Sequence, residues 1–202
     1  MRLSHVFSES LLSHRSRNEV REKHMMPVKP LMRIGCAILL GSLAAFTSAA
    51  AQTPPKVCMD EPAFRQFDFW VGEWDVYNNA NGNLAGQNRI ESREDGCVLV
   101  ENWVSISGGT GMSMNYYDSL TGKWRQVWIT SNYSIDIEGG LNQEGAMVLE
   151  GQLHNYRSSR SFEFRGTWTP DEDGTVRQFF EQKNHESGEW QVWFDGRYQP
   201  RT

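Results

Sequence analysis

Positive charge, cysteine and long apolar runs are all scarce in this 202-residue chain. Residues 52–202 carry 13 Lys and Arg against 22 Asp and Glu, a net charge of −9, which disfavours nucleic acid and anionic membrane surfaces as partners. The longest apolar run, 34–46, is shorter than the roughly 20 residues of a membrane-spanning helix, so no stable span is expected after processing. All 8 Trp and all 6 Tyr lie after residue 51, a composition that excludes disorder and predicts one globular domain.

The N-terminal segment has the pattern of an export signal. Lys29 and Arg33 precede the apolar run, and Ala49 and Ala51 follow it at the small-residue positions of a cleavage site. We therefore expect 1–51 to be an N-terminal extension and secretory signal peptide. Cleavage near Ala51 predicts a periplasmic or secreted protein.

Signal removal leaves two cysteines. Cys36 is lost with the apolar run, and Cys58 and Cys97 remain. Two cysteines in an exported chain most simply form one disulfide. A catalytic thiol is the alternative, but no histidine lies close to either cysteine in the sequence.

Turn signals and alternating segments dominate the rest of the chain. Asn, Asp and Gly clusters recur at hairpin lengths, and between them lie alternating segments such as 124–129, 161–168 and 189–194. After a linker over 52–63 and a short helical turn, the pattern predicts about ten strands in a domain over 64–202, the first over 67–76. Closure removes exposed strand edges, which favours a single up-and-down antiparallel β-barrel. A β-sandwich is the alternative.

Three motifs carry a family resemblance over about 64–199. They are F-W-x-G-x-W at 69–74, Y-D-x-x-T-G-x-W at 117–124, and the final aromatic strand. In this order they resemble an exported bacterial family of unknown function with calycin-like barrels of the lipocalin and nitrobindin type. The interior of a barrel of this size is either filled by side chains or holds one small ligand.

The resemblance also implies roles for individual residues. Gly72 would permit close approach and Trp74 would plug one barrel end, with Arg197 stacked on Trp74 by a cation–π interaction. Nitrobindins carry haem on a histidine late in the barrel, and His154 is the candidate here, because His185 lies in a turn. The alternative is that both histidines lie on the surface. The sequence indicates no other cofactor, and no cluster of metal ligands is apparent.

An aromatic and methionine-rich set predicts a site for a small molecule. An apolar wall with a few polar groups is typical of small-molecule sites. The same residues would equally serve a filled core. The predicted lining residues are Trp103, Met112, Met114, Tyr116, Trp124, Gln126, Trp128, Phe180 and Trp190.

Two carboxylates are weak catalytic candidates. Glu101 shares a strand face with Leu99 and Trp103, and Glu181 shares one with Phe179, so either is a candidate for an inward position. The alternative is that both are partly exposed carboxylates at the surface. The leading functional prediction is an exported barrel that binds a small hydrophobic or aromatic molecule. The alternatives are an isomerase, lyase or hydrolase that uses one of these carboxylates as a base, and a haem-binding protein.

Overall fold

The structure is a computed structural model that describes residues 55–201. The predicted signal peptide, its cleavage site and Cys36 lie outside these residues. Within 55–201, no helix combines the length and apolar character needed to cross a bilayer.

Ten strands make up most of the described chain. A four-residue helix, α1 (Val57–Asp60), comes first, and single 3₁₀ turns span Pro62–Arg65, Asp68–Trp70 and Glu94–Gly96. The strands are β1 (Gly72–Asn78), β2 (Leu84–Arg93), β3 (Val98–Ser105), β4 (Thr110–Asp118), β5 (Lys123–Thr130), β6 (Tyr133–Leu141), β7 (Met147–Asn155), β8 (Arg160–Pro170), β9 (Val176–Lys183) and β10 (Trp190–Pro200).

The strands form one closed antiparallel barrel. Each strand pairs with the next along the chain, and β1 pairs with β10, so the sheet has no free edge. The predicted up-and-down barrel of about ten strands is confirmed, and the sandwich alternative is wrong. The short hairpin connections dictate this order, because they allow only antiparallel neighbours.

The first strand begins later than the sequence predicted. Phe67 and Trp70 lie in and beside a 3₁₀ turn, and both are fully buried with their rings stacked 5.0 Å apart. The Phe67 ring packs on Trp168 at 5.2 Å and on Trp124 at 5.6 Å. Burying these rings across the barrel end outweighs the strand propensity of the segment, so β1 starts only at Gly72.

This aromatic plug also contains Trp74 and Tyr198. The Trp74 indole donates to the Trp70 carbonyl at 3.0 Å, and its ring lies 6.0 Å from that of Tyr198. A Cβ on Gly72 would lie 3.3 Å from the Trp74 ring, so glycine permits the close approach that the sequence predicted. Neighbouring strands run in opposite directions, so each end of the barrel contains the starts of every second strand. The plug closes the end that contains the starts of β1, β3 and β5.

Arg197 does not stack on Trp74 as the resemblance implied. Alternation along β10 buries Tyr198 and turns Arg197 outward, where its guanidinium bonds Asp173 at 2.7 Å and approaches Asp171. Tyr198 therefore takes the interior position beside Trp74. The ion pairs of Arg197 link β10 to the turn before β9.

The predicted disulfide between Cys58 and Cys97 is confirmed. It joins α1 to the turn that leads into β3, so the segment before the barrel is covalently attached to the sheet. Gly96 in this turn adopts a left-handed backbone with φ of 86°, and a Cβ there would lie 2.7 Å from the Arg65 guanidinium. The left-handed backbone is the reason that favours glycine here, because the Arg65 guanidinium is the flexible end of a side chain and could move away from a Cβ.

Candidate functional site

A cavity of about 160 Å³ lies inside the barrel, beyond the aromatic plug. Its wall is mostly aromatic, with a small polar cluster. The residues that line it are Glu101, Trp103, Trp128, Tyr133, Ile135, Gln178, Phe180, Trp193, Phe194 and Tyr198. Trp103 and Trp128 come late in their strands and Tyr133 begins β6, which places this chamber toward the barrel end opposite the plug.

Four glycines of the sheet make room for the large rings. A Cβ at any of these glycines would lie less than 3 Å from an aromatic ring of the cavity wall, so a side chain there would displace the ring. The pairs are Gly86 with Trp103, Gly111 with Trp128, Gly166 with Phe180 and Gly196 with Phe194. In the first three pairs one strand supplies the ring and its neighbour supplies the space, whereas Phe194 and Gly196 lie on the same strand, β10.

Glu101 supplies a carboxyl group at the base of this cavity. Its side chain lies on β3 and the residue is only 2% exposed. The Asn88 amide donates to one carboxylate oxygen at 2.6 Å, and the Ser113 hydroxyl donates to the other at 2.6 Å. Both oxygens are thus held by donors from the two adjacent strands, which fixes the orientation of the carboxyl group.

Further hydrogen bonds extend this polar cluster in both directions. On one side, the Gln126 amide donates to Asn115 at 2.8 Å and the Asn115 amide donates to the Ser113 hydroxyl at 2.8 Å. On the other side, the Asn88 amide also donates to the Tyr198 hydroxyl at 3.0 Å, which donates to the Gln178 carbonyl at 2.8 Å. The chain of bonds makes the environment of Glu101 rigid.

Strand register explains why polar side chains fill this part of the interior. Glu101 on β3 lies directly opposite Ser113 on β4, and Asn115 lies opposite Gln126 on β5. Alternation then turns Met112 and Met114 outward, where they are 47% and 52% exposed. The usual arrangement of apolar-in and polar-out is reversed along β4, because the polar residues satisfy one another inside the barrel.

Burial raises the pKa of Glu101 to about 7, and the hydrogen bonds from Ser113 and Asn88 oppose that rise. Burial also raises the pKa of the phenol of Tyr133, which lines the cavity, and the negative charge of Glu101 raises this pKa further. The same two causes raise the pKa of Tyr198 well above its ordinary value. Glu101 is therefore the group of this cluster that changes charge near neutral pH.

Two polar atoms at the site make no hydrogen bond of ordinary geometry among the described residues. The indole nitrogen of Trp128 is a buried donor that interacts with Tyr133 and opposes the rise of the Tyr133 pKa, and Oδ1 of Asn88 is a buried acceptor. Buried polar atoms in folded proteins usually have partners. Their positions, one on the cavity wall and one beside Glu101, add two hydrogen-bonding groups to the chemistry of the site.

The predicted lining residues separate into three groups. Trp103, Trp128 and Phe180 line the cavity. Gln126 and Trp124 are buried inside the barrel but do not line the cavity, since Gln126 belongs to the polar cluster and Trp124 belongs to the plug. The third group lies outside the barrel.

The remaining predicted residues lie on the outer face, so the nine do not form one pocket. Met112 and Met114 are exposed, and Tyr116 lies beside Arg125 across the β4–β5 ladder. Trp190 has the Arg165 guanidinium 4.5 Å from its ring centroid, outside the barrel. The apolar character of these side chains suggested an inward position. The reversed pattern of β4 instead turns Met112, Met114 and Tyr116 outward, and Trp190 packs on the charged Arg165 outside the barrel.

Glu181 also lies on the outer face. Its carboxylate bonds the Arg165 guanidinium at 2.7 and 2.9 Å, while the neighbouring Phe180 points into the cavity. Of the two candidates for an inward position, Glu101 lies inside the barrel and Glu181 does not. Phe179, which was used to orient Glu181, is itself on the outer face beneath Arg177.

His154 is exposed on β7, where its Nδ1 lies 2.7 Å from the Ser161 hydroxyl. It therefore cannot bind a haem held inside the barrel. Within the described part of the chain, no three His, Cys, Asp or Glu side chains converge in a group suited to a metal ion. His185 is exposed as well and contacts Ser161 and Phe162.

Several site residues escaped the sequence analysis. Tyr133, Ile135, Gln178 and Tyr198 follow the ordinary alternation of their strands, so a complete register would have identified them. The adjacent Trp193 and Phe194 both line the cavity, because the register between β9 and β10 shifts at this point. Such a bulge re-aims side chains and leaves no clear signal in the sequence.

Comparison with protein-family models finds no match, and comparison with curated proteins finds no significant similarity. The functional interpretation therefore rests on the chemistry of the cavity and of the residues around it.

Proposed function

We propose that this protein binds a small, largely aromatic or apolar molecule inside the barrel. The observation that carries the proposal is the cavity itself, with aromatic walls on most sides and one polar cluster at Glu101. An apolar wall with a few convergent polar groups is the usual composition of a small-molecule site. A barrel of this size is wide enough to hold one such ligand.

The volume of the cavity indicates the size of the part of the ligand that it holds. The volume of about 160 Å³ is close to that of an engineered apolar cavity of about 150 Å³ that accepts benzene, although the cavity here is partly open to solvent. The proposed ligand is therefore one aromatic ring with a short substituent, or an aliphatic molecule of similar size.

We further propose that binding takes place outside the cytoplasm. The signal-like sequence over 1–51 and the Cys58–Cys97 disulfide both support export, since disulfides persist in oxidising compartments. The kinship with calycin-like barrels is likewise proposed, on the sequence motifs and the barrel topology.

Narrowing the cavity from within tests the proposal. Ile135 lines the cavity, and replacing it with Phe and then Trp adds progressively more volume there. We expect the affinity for benzyl alcohol to fall in the order wild type, Ile135→Phe, Ile135→Trp, with a total loss of at least about tenfold. The Trp128 indole N–H signal in NMR titrations measures the affinity, because that group lies on the cavity wall.

The matched control is Ile129→Trp, which adds the same ring on the outer face of β5, where Ile129 is exposed. It should leave the affinity unchanged. Thermal unfolding of each variant verifies that the barrel remains folded, and the milder Phe substitution keeps the test valid if the Trp variant does not fold. Equal affinities in wild type, both Ile135 variants and the control would contradict the proposal.

Proton transfer by Glu101 is a second candidate function. It is favoured by the position of Glu101 on the cavity wall and by its pKa of about 7, which suits a general base. In such a reaction the carboxylate takes a proton from a carbon next to a carbonyl, and the electron pair moves to the carbonyl oxygen as an enolate.

Acetophenone in deuterated water is a direct probe of this second candidate. We expect deuterium to enter its methyl group faster with the wild-type protein than with Glu101→Gln. Glu181→Gln, a change of the outer carboxylate, should behave as wild type. If deuterium enters acetophenone no faster with the wild-type protein than in buffer alone, this activity is excluded for aryl methyl ketones.

A further inference from the structure

We infer that the cavity selects an aromatic molecule that carries a primary ammonium group, with Glu101 as its counter-ion. This inference rests on the proposed function, because it specifies the ligand class of the same cavity. Its basis is a carboxylate that the structure buries beside aromatic rings and leaves without a positive partner.

Glu101 has hydrogen-bond donors but no counter-charge. Its partners, Asn88 and Ser113, are both neutral, and no Lys, Arg or His among the described residues forms an ion pair with it. The strand carboxylates that pair with cations, such as Glu181 with Arg165, lie on the outer face. Buried carboxylates are normally paired, so a ligand cation would supply the charge that this cluster lacks.

The cavity wall suits a cation of this kind. Trp103, Trp128 and Trp193 present indole rings to the cavity, and tryptophan is the best aromatic partner for an ammonium group. Within residues 55–201, no Lys, Arg or His lines the cavity, so no described residue of the wall repels a positive ligand. The net charge of −9 on residues 52–202 also favours the approach of cations over anions.

The protonation of Glu101 couples binding to pH. A cation beside a carboxyl group favours its ionised form and opposes the effect of burial. Below about pH 7 the ligand must therefore displace a proton from Glu101 before the ion pair forms. The other titratable groups that face Glu101 are the phenols Tyr133 and Tyr198, which stay neutral in this range because their pKa values are raised.

Benzylamine, benzyl alcohol and benzoate are matched probes that share the ring and differ in charge. We expect benzylamine to bind the full-length wild-type protein at least about tenfold more tightly than benzyl alcohol at about pH 8. Its affinity should fall by up to about tenfold per pH unit below about pH 7, while that of benzyl alcohol stays constant. Benzoate should bind more weakly than either.

Glu101→Gln is the decisive variant. The substitution preserves shape, and the unpartnered Oδ1 of Asn88 can accept from the new amide if the Asn88 amide group rotates. We expect the variant to bind both probes with similar affinity and without pH dependence. Glu181→Gln, the control on the outer face, should keep the preference for benzylamine.

The outcomes separate the two proposals. Equal affinities for benzylamine and benzyl alcohol in the wild-type protein, or a preference that persists in Glu101→Gln, would overturn the inference and leave the proposed container intact. If neither probe is bound in the cavity at millimolar concentration, both proposals fail. Retained binding of benzyl alcohol by Glu101→Gln verifies that this variant is folded.

Discussion

The free energy of unfolding of the wild-type protein is expected to fall by about 3 kcal/mol as the pH rises from about 4.5 to 8 because of Glu101, and replacing Glu101 with Gln is expected to remove this fall. The pKa of Glu101 is about 7 in the folded barrel and near 4.5 when the chain is unfolded and solvated. The folded state therefore holds this proton more tightly than the unfolded state. The contribution of Glu101 to the free energy of unfolding is fully present below about pH 4.5 and is lost as the pH rises through about 7.

Urea unfolding of wild type and variant at several pH values measures this effect. Each unit of pKa difference corresponds to about 1.4 kcal/mol, which gives the expected total. Because the other carboxylates are the same in both proteins, their contributions cancel in the difference. The free energy of unfolding of Glu101→Gln should rise relative to wild type between about pH 4.5 and 8.

Glu163→Gln is the matched control for this measurement, since Glu163 is exposed on β8 and pairs with Lys183 at the surface. Its difference from wild type should change little with pH, because exposed ion pairs contribute at most about 1 kcal/mol. A pH-independent difference between wild type and Glu101→Gln would show that the Glu101 carboxyl group is not buried as described.

Removing the ring of Trp70 is expected to reduce the free energy of unfolding by about 3–5 kcal/mol. Trp70 is fully buried in the aromatic plug, stacked on Phe67 and packed on Trp168 at 5.5 Å. Truncation to alanine leaves a cavity in the plug that the surrounding strands cannot fill, because the closed sheet holds them in place. Urea unfolding of Trp70→Ala at neutral pH measures the loss.

Trp190→Ala provides the comparison for the same change of side chain on the outer face. There the ring contacts Arg165 and Lys183, and its removal should reduce the free energy of unfolding by about 1 kcal/mol. Similar losses for Trp70→Ala and Trp190→Ala would contradict the assignment of Trp70 to the buried plug. The free energy of unfolding of Trp70→Phe, which retains an aromatic ring, should lie between those of wild type and Trp70→Ala.

The barrel was predictable from the sequence because its signals are local. Hairpin turns and alternation specify the number and order of strands, and closure follows from the need to avoid free edges. The inward position of Glu101 was one of two interpretations that the sequence left open, because Glu101 shares a face of β3 with the apolar Leu99 but carboxylates usually lie at the surface. The Cys58–Cys97 pairing followed from having two cysteines in an exported chain.

The side of other residues depends on partners that a single strand does not reveal. Met112 and Met114 lie outside because Ser113 and Asn115 complete a polar cluster with β3 and β5. No pattern within a single strand predicts such a cluster. Trp193 enters the cavity through a register shift. Phe67 and Trp70 leave the strand because the barrel end must be closed. In each case, contacts between distant segments decide the side chain's position.

The position of a bound ligand tests the central proposal most directly. Intermolecular NOEs between benzyl alcohol and selectively ¹³C-labelled Ile and Met methyl groups distinguish the interior from the outer face. We predict NOEs to the Ile135 methyl in the cavity and none to Met112 and Met114. NOEs confined to Met112, Met114 or Ile129 on the outer face, with the Ile135 signal unchanged at saturating ligand, would contradict binding inside the barrel.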